Sequence, residues 1–96
     1  MSRQMAFQLT YPQLVQKWAV LAKASGSRGD AKTVGEWIDS ITEDQHERDV
    51  LTAAYSALHN CTKHNRDLKD VVKVICWRGA DGKPSDIQVE LTRKTG

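Results

Sequence analysis

Long apolar runs are scarce in this chain. The longest, Trp18 to Ala22, is far too short to cross a bilayer, and no extended apolar stretch follows Arg3 to form a secretory signal. Cysteine is nearly absent: Cys61 and Cys76 are the only two. That is too few for a disulfide scaffold and fits a reduced, cytoplasmic protein, although one bridge between them stays open. Walker, GxSxG, HExxH and EF-hand spacings are missing, which removes the best-marked nucleotide, hydrolase, metalloprotease and calcium sites. There is no internal repeat, low-complexity segment or interdomain linker, so residues 1–96 are expected to form one domain. Together these absences predict a non-enzymatic protein with no cofactor, no metal, no membrane association and no evident small-molecule substrate.

What is present is ordinary globular material: 40% hydrophobic and 27% charged residues, enough for a modest core. The net charge of +2 conceals a segregated distribution. Residues 1–29 hold four basic side chains and no acid, residues 30–58 hold seven acids against Lys32 and Arg48, and residues 59–96 are again basic. Segregation of this kind bears on partner choice more than the total does.

The most coherent stretch runs from Thr42 to Asn65. Val50, Leu51, Ala54, Tyr55, Leu58 and Cys61 recur at spacings of three and four, placing them on one side of a long helix. Thr42 with Gln45 has capping-box spacing, and Ser40 with Glu43 competes with it. A second amphipathic helix is expected from a Thr10 cap to about Ser25, with Pro12 tolerated in its first turn. Tyr11, Leu14, Val15, Trp18, Ala19, Leu21, Ala22 and Ser25 form its apolar face. A short third helix opens at Asp30 or Thr33 and ends near Ile41, carrying Val34, Trp37, Ile38 and Ile41.

Residues 4–9 alternate as a short strand, Val71 to Trp77 is rich in β-branched and aromatic residues, and Asp86 to Arg93 alternates again. Turn formers between Gly79 and Ser85 join the last two strands into an antiparallel hairpin. The expected fold is therefore α+β: three helices packed on an antiparallel sheet, two-stranded if the C-terminal hairpin stands alone, or three-stranded with Val71 to Trp77 central and residues 4–9 on its other edge. Trp18, Trp37, Leu51, Tyr55 and Leu58 are the expected core anchors.

Four constellations raise chemical questions. His59, Cys61, His64 and Cys76 are zinc-type ligands, but His59 points nearly opposite Cys61 on a helix, and Cys61 falls on the apolar stripe as a small hydrophobe. Gly26 to Gly29 with Arg28 lacks the strand–GxxxxGK[ST]–helix order of a phosphate loop. Three helices with a tight turn between the second and third, then a hairpin, resemble the element order of a winged helix. That order implies a DNA-binding regulator, with Lys17, Lys23, Arg28, Arg78 and Lys83 as candidate nucleic-acid contacts. The N-terminal part of the would-be recognition helix, however, carries Glu43, Asp44, Glu47 and Asp49, the wrong sign for a polyanion.

The fourth constellation is the strand Val71–Trp77, apolar on both pleat faces although one helical layer covers only one of them. Val71, Lys73, Ile75 and Trp77 share a parity and are the candidate partner-binding residues on the face away from the helices. The expected role is a small interaction or regulatory protein that binds a protein partner, or a second copy of itself, through this sheet face. The DNA-binding regulator is the alternative.

Overall fold

A computed structural model describes residues 4–26 and 31–92. Strand β1 (Met5–Thr10) leads directly into helix α1 (Tyr11–Lys23). Helices α2 (Val34–Ile41) and α3 (Gln45–Lys63) follow, then a single 3-10 turn (Leu68–Asp70) and strands β2 (Val71–Arg78) and β3 (Pro84–Leu91). The strands form one antiparallel sheet in the order β1-β2-β3, with β2 central. Three helices on a three-stranded sheet make the α+β arrangement, and the N-terminal strand and C-terminal hairpin are both present.

Local chemistry sets most of the element ends. Thr10 precedes α1, and Gln13 Oε1 accepts from the Thr10 backbone N–H at 2.8 Å, the reciprocal arm of a capping box. Thr33 Oγ1 caps α2 by accepting from the Glu36 N–H at 3.1 Å. The start of α3 departs from expectation. Its cap is Asp44, whose Oδ2 accepts from the Glu47 N–H at 2.9 Å. Thr42 is instead extended and closes α2, its N–H donating to the Ile38 carbonyl at 3.3 Å. Helix α3 begins at Gln45, three residues beyond Thr42, and the Asp44 carboxylate next to that start is the better acceptor at a helix N-terminus.

The far end of α3 is closed by its backbone. Asn65 adopts φ 55°, the Arg66 N–H reaches the Cys61 carbonyl at 2.8 Å, and the Asn65 N–H reaches the Thr62 carbonyl at 3.3 Å. This is a Schellman pattern with asparagine in the left-handed position usually held by glycine. Arg66 then ties the exit of the helix to the end of the sheet. Its guanidinium donates to Asp70 Oδ2 at 3.2 Å and to the Thr92 carbonyl at 2.7 Å.

The core is built around α3, which contacts α1, α2, β2 and β3. Val50, Leu51, Ala53, Ala54, Ala57 and Cys61 are all buried. They join Leu9, Leu14, Leu21, Trp37, Ile38, Val71 and Val74 in one cluster. Ala53 and Ala57 lie outside the single stripe read from the sequence, because α3 has helices on one side and the sheet on the other. Small side chains at those positions let the elements approach closely. Trp18, Tyr55 and Leu58, expected to be largely buried, are only half-buried. With Leu21, Ala22, Trp37 and Leu68 they line an apolar cavity of about 310 Å³ between the helices. Both indoles are nonetheless anchored: Trp18 Nε1 donates to the Ala54 carbonyl at 2.9 Å and Trp37 Nε1 to the Ala24 carbonyl at 3.0 Å.

Truncation should follow this burial. Leu51→Ala is expected to lower unfolding stability by about 2–5 kcal/mol, with Leu58→Ala costing clearly less, as read from urea denaturation midpoints at a common slope. At the helix exit, Asn65→Gly should leave the midpoint unchanged or raise it. Asn65→Val should lower stability by about 1–2 kcal/mol, the cost of a left-handed residue with a branched side chain.

Candidate interaction surface

The two faces of the sheet are assigned by the strand register. Val74 pairs with Leu9 on one side and Val89 on the other, and Cys76 pairs with Phe7 and Ile87. These residues face the helices. The opposite face is made by Lys73, Ile75 and Trp77 from β2, Met5, Gln8 and Thr10 from β1, and Asp86, Gln88 and Glu90 from β3. Among the described residues, no helix lies over this second face.

Val71 does not belong there. The register shifts between Val71 and Lys73, so that two residues of β2 oppose one of β3. This bulge at Val72 resets the side-chain alternation. Val71 is 2% exposed within the helix-side core, while Val72, expected to face the helices, is 46% exposed. Of the residues expected on the distal face, Lys73, Ile75 and Trp77 are found there and Val71 is not. Ile75 is already 8% exposed in the monomer, flanked by Gln8 and Gln88 from the adjacent strands. Trp77 is half-buried and stands opposite Met5, which is 48% exposed.

The distal face is more polar than the apolar pattern of β2 implies. Lys73 Nζ lies 3.7 Å from Glu90 Oε2. Trp77 Nε1 donates to Gln88 Oε1, and Gln88 Nε2 donates to Glu90 Oε1, each at 3.3 Å. The β3 half of the face is thus a hydrogen-bonded polar ladder, and its apolar part is Met5, Trp77 and Ile75. Met5, Gln8 and Val72 are not among the partner-binding residues expected from the sequence. Strand pairing across β1 and the bulge bring them forward, and neither can be read from one strand's own alternation.

The described candidate nucleic-acid contacts are divided between α1, which carries Lys17 and Lys23, and the β2–β3 hairpin, which carries Arg78 and Lys83. Lys17 is held by Glu47, Nζ to Oε1 at 2.8 Å. Lys23 lies in the last turn of α1, and Arg28 lies outside the described residues. Arg78 turns back on its own hairpin, donating to the Gly82 carbonyl at 2.9 Å. Lys83 shares a hollow with Gln45, Asp49 and Pro84. Helix α3, which would have to enter a groove of DNA, is packed on both flanks and opens with Asp44 and Glu47.

The zinc-type residues are dispersed. Cys61 is buried in the core and Cys76 within β2 between Phe7 and Ile87, whereas His59 on α3 and His64 at its C-terminal cap are exposed. No group of three or more metal-ligating side chains occurs among the described residues. Burial pushes both thiols above their ordinary pKa; for Cys76 the Asp49 carboxylate adds to the effect. A raised pKa leaves less thiolate at neutral pH. Both cysteines should therefore react slowly with a disulfide reagent such as Ellman's at pH 7.5, and two fast equivalents should appear only after denaturant is added.

No described helix is long and apolar enough to cross a membrane. Comparison with protein-family models, with curated proteins and with solved structures finds no match.

Proposed function

We propose that this chain is a small, non-enzymatic interaction protein that binds a protein partner, or a second copy of itself, through the distal sheet face. Trp77 is the observation that carries the reading. It is a half-buried indole on the face without a helical layer, set across from the exposed Met5 and beside Ile75. Large aromatics next to aliphatic side chains dominate the energetic centres of protein interfaces. Lys73 and Glu90 at the other end supply a charged rim, which favours correct register over affinity.

The basic surface offers less to a nucleic acid, since Lys17 and Arg78 are engaged within the protein. Binding to random duplex DNA, followed by fluorescence anisotropy, should be feeble and should vanish at physiological salt.

Trp77→Ala is the direct test. It should weaken association at least tenfold, in sedimentation for self-association or in pull-down for a partner, while moving the thermal midpoint little. A variant that loses stability heavily but associates like the parent would show that Trp77 serves the fold and not an interface.

A further inference from the structure

Three aromatic rings meet in the apolar cavity between the helices. Four elements wall its volume of about 310 Å³: α1 with Trp18, Leu21 and Ala22, α2 with Trp37, α3 with Tyr55 and Leu58, and the 3-10 turn with Leu68. Leu21 and Trp37 are buried and form its inner end. Trp18, Tyr55, Leu58 and Leu68 are half-buried and Ala22 is exposed, which places them where the cavity meets solvent. Each indole has its Nε1–H committed to a backbone carbonyl, Trp18 to Ala54 and Trp37 to Ala24. Trp37 stands edge-on to Tyr55 with ring centroids 6.3 Å apart, and Trp18 edge-on to Tyr11 at 6.0 Å. Contacts within the protein thus hold the rings in place before anything enters.

We infer that this cavity binds a small, uncharged aromatic molecule of two fused rings. Size sets the first limit. At the share of about 30 Å³ that one water takes in a liquid, the cavity holds roughly ten such units. That suits one two-ring compound and is too little for a length of partner chain. Chemistry sets the second limit. With both indole donors engaged, the indoles offer a ligand carbon surface and not hydrogen bonds. An aromatic guest gains offset or edge-to-face contact with such rings beyond the area it buries, whereas a charged group among leucines and ring faces loses its hydration without return. Preformed walls keep the ordering cost of binding low, and sites of this kind occur between packed helices. The cavity lies among the helices and not on the distal face, so this inference does not rest on the interface read there.

The test uses the full chain, labelled with ¹⁵N and with ¹³C in the leucine methyls, and indole as the probe. The methyls of Leu21, Leu58 and Leu68 and the indole N–H signals of Trp18 and Trp37 should shift on titration, while the Trp77 N–H stays in place. The thermal midpoint should rise with indole concentration, as it does for any ligand held by the folded state alone. Indole-5-carboxylate should bind at least tenfold more weakly. Ala22→Phe places a ring in the mouth from an exposed helix position. It should weaken indole binding at least tenfold and leave the melting curve without indole in place or higher. Shifts centred on Met5 and Trp77, equal affinity for the charged probe, undiminished binding to Ala22→Phe, or no shift at millimolar indole would overturn the inference. So would concentration-dependent shifts of the Leu58 and Leu68 methyls without indole, which would mark a second copy as the occupant.

Discussion

The fold depends on burying α3 on two sides at once. Its inner stripe of Val50, Leu51, Ala54 and Cys61 meets the rest of the core, while Ala53 and Ala57 allow close approach on a second flank. A chain of this size has little apolar area to spare, so one helix that contacts α1, α2 and two strands does most of the holding. Both ends of that helix are closed by local chemistry: the Asp44 carboxylate at its start, and the left-handed Asn65 with the Arg66 bonds at its exit. Fixing α3 fixes the helical layer against one face of the sheet. The other face stays open because the chain has no further element among its described residues to lay over it.

The architecture was legible because each element announces itself by period. Spacing of three and four marks α1, α2 and α3, and alternation marks β1 and β3. Element ends were legible where one polar side chain had a single role, as at Thr10. At the α2–α3 turn, Thr42 and Ser40 compete as caps in the sequence, whereas in the structure Asp44 caps α3 by accepting from the Glu47 N–H. Residue parity in β2 was the largest loss. Alternation from Trp77 back to Val71 assumes an unbroken pleat, and one extra residue at Val72 moves Val71 into the core and leaves Val72 in solvent. A bulge has no marker in the string Val-Val-Lys-Val. Half-burial of Trp18, Tyr55 and Leu58 was equally hidden, since a helical stripe says which side faces inward but not how deeply.

The surfaces follow from this geometry. On the distal side, polar pairs from β3 cover half of the sheet and leave Met5 and Trp77 as the apolar remainder. On the helix side, a groove between α3 and β3 has an aliphatic floor of Ile87 and Val89 and polar side chains, Lys63 among them, in its wall. Two of the basic residues that suggested DNA are drawn into contacts within the protein, Lys17 on Glu47 and Arg78 on its own turn.

The three tryptophans allow one measurement to test the central claim. Trp18 and Trp37 donate to backbone carbonyls among the helices, whereas Trp77 stands on the distal face. With 5-fluorotryptophan incorporated, fluorine NMR gives one resonance for each. As self-association or binding of a partner proceeds, the Trp77 resonance should shift or broaden while those of Trp18 and Trp37 stay in place. Association that moves Trp18 or Trp37 and leaves Trp77 unchanged would contradict the account.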